Sequence, residues 1–332
     1  MTLNIGVAFV GTGGYKMIRA LRSFRRTEPT LPVHLVFDAS TNSWWRNLKL
    51  GYSVEWFEAQ PNVSVKVIDN TGYVNGAFNA GIRWLDSLGF QNACMFHDDL
   101  VFSPLTENRN HLTDLFARME SDPELYNSSG LTLPSMEALV PSPIPGHWQR
   151  SPDEWAAVDL ESESLWRTMC PGGVSAMYFG SPGSDDGVAL GDWFVKYFVT
   201  ERPCPISRLG PTGFIIPISH WRDFARFDER DGIYYDMEYP VLCAMRKLAP
   251  VIAVPGVPHL HLHNQSTAYG DPAVGTWGRD LPSFIAKYGK EPGDILAEHG
   301  YYGYQSMPVG VTCPEPNLRI WKYGGQFAKA GV

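Results

Sequence analysis

The chain lacks any apolar run approaching the roughly 20 residues that a membrane-spanning helix needs, so no span is expected. It has no CxxC pair, and its five cysteines, Cys94, Cys170, Cys204, Cys243 and Cys313, are odd in number and scattered. That pattern argues for reduced thiols and against a disulfide framework or zinc ribbon. An excess of basic charge is missing too. With 27 Lys and Arg against 35 Asp and Glu, the net charge of −8 gives no general attraction to phosphate backbones or anionic lipid. The start shows none of the charged, apolar and small-residue order of a secretory signal, and cytoplasmic residence is the expectation. The dinucleotide fingerprint is incomplete. VGTGGYK follows the first strand-like run, but Met17 and Ile18 stand where a third glycine should fall, so a Rossmann cofactor site is not expected.

What is present is a globular core. At 332 residues and 44% hydrophobic, the chain is long enough to bury one large α/β unit. NIGVAFV (4–10) reads as a buried strand, and PVHLVFD (32–38) and VSVKVID (63–69) as further strands, each ending on aspartate. Between them Met17, Ile18, Leu21 and Phe24 share one face at helical spacing, with Arg19, Arg22, Arg25 and Arg26 read as a solvated opposite face. Val74, Ala77, Phe78, Gly81, Leu85 and Leu88 mark a second helix before the strand NACMFHDD. A third is expected over 106–120, with Leu112, Leu115, Phe116 and Met119 inward. Alternating β and α elements predict a mostly parallel sheet with helices on its faces, and ligands outside the carboxyl ends of its strands. The Pro-, Gly-, Ser- and Trp-rich stretch 121–212 reads as long functional loops. Regular structure returns with a strand at 213–219, a helix, a second helix that Pro240 helps to start, a strand at 251–255, and a helical, aromatic-rich tail.

Three clusters carry the chemistry. Adjacent carboxylates at a core strand's end, Asp98 and Asp99 after His97, repel each other unless they hold a cation, share a proton or cap a helix. Their hard oxygens suit Mg²⁺ or Mn²⁺. In PHLHLHNQS, His259, His261 and His263 alternate, so on a strand their side chains lie on one face, and one imidazole would complete a mixed N/O site. YYDMEYP places Asp236 and Glu238 just before a helix, where they serve either as caps or as a general base.

In this order the motifs resemble the family 2-like, GT-A fold glycosyltransferases that use nucleotide sugars, across most of the chain and more weakly over 104–212. The resemblance implies an α/β, GT-A type fold: a mostly parallel twisted sheet flanked by helices, with a long irregular insertion and a helical C-terminal tail. The opening strand and loop run past Gly11, and Asp38 in VFDAST matches the aspartate that contacts the nucleotide base. NTGYVNGAFNAGI is similar to the family's nucleotide-side segment from Asn70 through Gly72 and Asn79 to Ile82. HDD stands at the metal motif, with His97 in its first position; Asp99 is implied as the metal ligand and Asp98 as a contact to sugar or metal. A histidine after the next strand completes that site in the family, a place His261 or His263 fits. Asp236 matches the catalytic base and Glu238 the later acid, while Tyr235 replaces the usual glutamate.

The implied activity is inverting transfer of a sugar from a nucleotide-diphosphate sugar, UDP-linked by preference, to an acceptor hydroxyl with Mn²⁺ or Mg²⁺. The implied organisation is a GT-A domain over 1–255, with a nucleotide-sugar half (1–104) and an acceptor-side and insertion region (105–255). Residues 256–332 then form a histidine segment completing the metal site and a C-terminal lid or tail. The 11 tryptophans and 15 tyrosines, Trp148, Trp155, Trp166 and Trp193 among them, suit sugar faces and also core packing. A saccharide or glycoconjugate is the expected acceptor, with a hydroxylated DNA base as the minority choice. A metal-dependent hydrolase and a catalytically inactive sugar-binding protein are the alternatives.

Overall fold

The computed structural model describes residues 3–11, 14–38, 54–69, 73–103, 110–133, 136–138, 174–176, 204–206, 209–210, 213–229, 235–254, 257, 259–261, 276–300, 319–321 and 327–329. The strands are β1 (Ile5–Gly11), β2 (Val33–Asp38), β3 (Val63–Ile68), β4 (Asn92–His97), β5 (Leu100–Phe102), β6 (Gly130–Thr132), β7 (Met136–Ala138), β8 (Val174–Ala176), β9 (Cys204–Ile206), β10 (Gly213–Pro217), β11 (Val251–Ala253), β12 (His259–His261), β13 (Arg319–Trp321) and β14 (Phe327–Lys329). The helices are α1 (Gly14–Thr27), α2 (Val54–Glu58), α3 (Tyr73–Ser87), α4 (His111–Ser121), α5 (Pro123–Tyr126), α6 (Ile218–Asp223), α7 (Tyr235–Met245), α8 (Thr276–Tyr288) and α9 (Pro292–Glu298).

Alternation along the first strands explains why both sheet faces are covered. In β1, Val7 and Phe9 belong to one apolar cluster while Ala8 and Val10 belong to the other; in β4, Cys94 and Phe96 oppose Ala93 and Met95 in the same way. Helix α1 seals the first face with Met17, Ile18, Leu21 and Phe24, and α3 seals the second with Ala77, Phe78, Ile82 and Leu85. Gly81 lets α3 come close, because a Cβ there would lie 2.6 Å from the Met95 methyl. Phe9, Phe24, Phe96 and Phe102 meet edge-on or stacked at 5.1–6.0 Å between centroids on the α1 side.

The main sheet has eight strands in the order β3-β2-β1-β4-β10-β6-β11-β9. Pairing is parallel from β3 through β4 and again between β6 and β11, and antiparallel where β10 and β9 join. A second sheet, β5-β12-β7-β8, begins immediately after Asp98 and Asp99, and β13 pairs with β14.

Four expectations are corrected. Within 121–212 the chain forms α5 and the strands β6 to β9, of which β6 lies inside the main sheet and β9 at its edge; three residues each are too few to show a period. The strand expected to reach 219 ends at Pro217, where α6 takes over. Helix α7 begins at Tyr235, so Asp236 and Glu238 lie in its first turn and Pro240 lies inside it. Proline has no N–H to offer the carbonyl four residues back. That carbonyl, of Asp236, instead accepts the Leu209 N–H at 2.9 Å. Finally, of the four arginines on α1 only Arg22 is exposed. The Arg25 guanidinium donates to the carbonyls of Glu28, Leu31, Pro61 and Asn62, tying the end of α1 to the turns before β2 and β3.

Candidate functional site

The parallel register lines up the predicted donor-side residues at one edge. Gly11 pairs with Phe37 and Val10 with His97, so Gly11, Asp38 and Asp98 stand in a row at the carboxyl ends of neighbouring strands. Asp98 and Asp99 are both buried, Asp38 is half-buried and Asp69 is exposed. The Asp98 carboxyl lies over Gly11, where a Cβ would fall 2.0 Å from its Cγ. The His97 and Phe78 rings meet edge to face, 4.9 Å between centroids. Asn70, Gly72 and His263 lie outside the described residues.

The capping role for the acidic pair is taken by another residue. Asn110 precedes α4 in a left-handed conformation with no side-chain cap bond. The amides of Leu112 and Thr113 reach the buried Glu28 carboxylate, at 2.6 and 3.4 Å, and the Thr113 hydroxyl donates to it at 2.7 Å. Glu28 is 84 and 85 residues away from those amides, in no local pattern, which is why sequence reading missed it.

Strand β12 pairs antiparallel with β5, His261 opposite Leu100, and parallel with β7, His261 beside Glu137. The histidine segment therefore joins the sheet one residue beyond Asp99. His259 is a core residue: fully buried, its Nδ1 lies 2.7 Å from the Val257 carbonyl and its ring packs against Phe96 and Phe102. Among the described residues no three His, Cys, Asp or Glu side chains form a metal-sized cluster.

Asp236 reaches the same edge by another route. Gly213 pairs with Phe96, so the chain just before β10 lies beside the end of β4. There Leu209 donates to the Asp236 carbonyl, and the Tyr235 hydroxyl donates to the Gly210 carbonyl at 3.4 Å. The Tyr235 ring packs on Phe78 at 4.9 Å, and Phe78 in turn on His97. Asp236 is fully buried. Glu238, also buried, turns to the C-terminal helices, where its Oε1 accepts from Lys287 Nζ at 2.9 Å and from the Tyr288 hydroxyl at 2.5 Å.

Asn79 is buried with its amide fully engaged. Its Nδ2 donates to the Phe227 carbonyl and to Glu229 Oε1, both at 2.7 Å, while its Oδ1 accepts from Trp221 Nε1 at 2.7 Å and Phe227 N at 3.1 Å. It holds the segment leading toward α7 against α3. Lys287, Tyr288, Asp228 and Trp221 all stand in this surround. None lies in a pattern that announces it, since their partners are 49 to 153 residues away.

No protein-family model matches the chain, and no curated protein matches it. Among solved structures it is similar to the mannosyltransferase PcManGT from Pyrobaculum calidifontis, in complex with GDP-Man and Mn²⁺, at 11% identity and a TM-score of 0.50, over 92% of this chain and 71% of that one. A197 from STIV matches at 7% identity and a TM-score of 0.35, over 79% of this chain and 87% of that one. Mannose-1-phosphate geranyltransferase from Thermus thermophilus matches at 10% and 0.34, over 77% and 76%. Among the described residues no helix is long and apolar enough to cross a membrane. The chain has an α/β fold of the GT-A type, shared with a mannosyltransferase, and its acidic and histidine segments meet at the carboxyl edge of its parallel strands.

Proposed function

We propose that this protein is an inverting glycosyltransferase that moves a sugar from a nucleoside-diphosphate sugar to an acceptor hydroxyl with help from a divalent cation. The observation that carries the reading is the register of β12 on β5, which brings His261 opposite Leu100, next to Asp99, at the edge where Gly11, Asp38 and Asp98 also end. The likeness in fold to a mannosyltransferase in complex with GDP-Man and Mn²⁺ agrees with it.

Carboxylate oxygens with one imidazole are a donor set suited to Mn²⁺, or to Mg²⁺ with the imidazole replaced by water. Asp99, with His261 or His263, would hold the ion. When bound, such an ion offsets the negative charge that builds on the departing diphosphate. Asp38 contacts the nucleotide base, Asn70 and Gly72 approach the nucleotide, Gly11 leaves room beside Asp98, and Asp98 orients the sugar. Asp236 takes the proton of the acceptor hydroxyl as that oxygen attacks the anomeric carbon from the face opposite the leaving group. Because Asp236 is fully buried, the acceptor reaches it only by parting the chain around it, which also keeps water from competing for the donor. Glu238 supports the base-bearing helix from behind. The donor half is 1–104, the acceptor side 105–255, and 256–332 completes the metal site and closes over it. A saccharide or glycoconjugate is the acceptor class, and UDP- and GDP-sugars are the donors to try first.

The test is Asp236→Asn. We expect nucleotide-sugar binding, followed by thermal shift with Mn²⁺, to persist, while turnover falls on the order of 10²- to 10⁴-fold. Turnover at the wild-type rate in that variant ends the base assignment. A wild-type protein stabilised by no nucleotide sugar, with or without Mn²⁺, ends the transferase reading.

A further inference from the structure

Asp236 and Glu238 are two positions apart, about 200° around a helix, so their carboxylates leave α7 on nearly opposite sides. On its side Glu238 is met by Lys287 and Tyr288 of α8. The same Lys287 ammonium donates to Asp228 Oδ2 at 2.7 Å. Asp228 belongs to the segment 227–229, which α3 grips from its far side: Asn79 holds Phe227 and Glu229, and Asn75 Nδ2 donates to the Asp228 carbonyl at 2.5 Å. A continuous run of hydrogen bonds thus leads from α3 through 227–229 and α8 into the first turn of α7.

We infer that Lys287 is a positioning residue: by bridging Asp228 and Glu238 it sets the orientation of the turn that carries Asp236 relative to the donor-side helix α3. The role rests on the reading of Asp236 as the base. The bridge differs from an ordinary surface pair because its two carboxylates are little exposed, 4% for Glu238 and 17% for Asp228, against 38% for the lysine. Without the ammonium, Glu238 keeps only the Tyr288 hydroxyl among these partners and faces Asp228 as a like charge. Removing one partner of a buried ion pair leaves an uncompensated charge, and that strain falls on the first turn of α7. The helices stay together meanwhile, since Met237, Val241 and Ala244 of α7 pack against Phe284 of α8 and Ile295 and Leu296 of α9. What is lost is therefore aim rather than fold. A shift of an ångström at a reacting group is enough to cost about a hundredfold in rate.

The experiment compares Lys287→Met and Lys287→Arg in the full chain by amide hydrogen exchange and by steady-state kinetics with UDP- and GDP-sugar donors and a simple glycoside acceptor. In Lys287→Met we expect exchange over 235–239 to quicken on the order of tenfold while 92–97 stays protected. We expect kcat to fall ten- to a hundredfold, on the order set by misalignment, with the donor KM changed by less than about twofold. Lys287→Arg, which keeps a cation able to serve both carboxylates, restores both. Unchanged exchange over 235–239, a fall in kcat matched by a rise in KM, or no rescue by arginine overturns the positioning role. Full turnover in Asp236→Asn, by contrast, removes the base assignment and leaves the exchange result standing.

Discussion

The Asp98 side chain lies across Gly11, so close that a Cβ at position 11 would fall 2.0 Å from its Cγ and 2.5 Å from its Cβ. The end of β1 and the turn after β4 are thereby interlocked, and only glycine fits between them. Gly11→Ala must push the Asp98 backbone as well as its carboxylate. We expect it to destabilise the fold by about 1–3 kcal/mol, as other overpacked sites do, measured by urea unfolding. The cost should shrink markedly in an Asp98→Gly background, which removes the Cβ as well as the carboxylate, because the two residues share one space. Equal costs in both backgrounds would show that the overlap is relieved elsewhere.

Asn79→Ala strands the Trp221 indole N–H and both backbone groups of Phe227 in the interior. Each buried group left unpaired costs about 1–3 kcal/mol, so a loss of at least that size is expected in denaturant unfolding. A residue that served only the nucleotide would behave otherwise, weakening donor binding at unchanged stability.

Burial lowers the pKa of His34, His111 and His220 below the ordinary value of 6.5; Asp114 opposes this at His111, as Ser129 and Asp223 do at His220. The folded state therefore favours the neutral rings. Their contribution is whole above pH 6.5 and is lost as pH falls through the folded values. Glu28 runs the other way. Burial raises its pKa above 4.5, more than the bonds from Thr113 and Leu112 lower it, so its contribution is whole below 4.5 and lost as pH rises through the raised value. The melting temperature should decline below about pH 6.5 as the histidines charge. Glu28→Gln should be at least as stable as the wild type at neutral pH while keeping a carbonyl for the α4 amides. A melting curve flat from pH 7 to 5 in Glu28→Gln, where the opposing carboxyl is gone, would contradict the histidine effect.

Asp99→Ala should abolish the part of nucleotide-sugar stabilisation that depends on Mn²⁺ and leave the metal-independent part in place, as read by thermal shift with and without a chelator. His261→Ala and His263→Ala then divide the imidazole role between them. An intact Mn²⁺ effect in Asp99→Ala would place the ion elsewhere.

Much of the donor half was legible. Short apolar runs located β1 to β4, period-3.6 faces located α1 and α3, and the aspartates ending or following those strands fell at the edge where parallel sheets collect ligands. The middle was less so. β6 is only Gly130, Leu131 and Thr132, and its place in the sheet comes from β10 and β11 on either side, not from any rhythm of its own. The start of α7 was misplaced because Pro240 reads as a first-turn residue, whereas Leu209 supplies the bond that lets it stand deeper in the helix. The arginines of α1 looked solvated because a helical wheel cannot see the turns that Arg25 reaches.

By itself the order of residues determined the alternation of strand and helix, the two apolar faces of the sheet and the kinds of side chain at its edge, because all of these depend on neighbours within a few positions. Only the tertiary structure decided that β12 pairs with β5 beside Asp99, that Glu28 rather than an aspartate caps α4, and that Glu238 turns to Lys287 while the Asp236 carbonyl takes the Leu209 N–H. Those are contacts across tens to hundreds of residues, and chain entropy lets many such pairings compete until the packed core selects one.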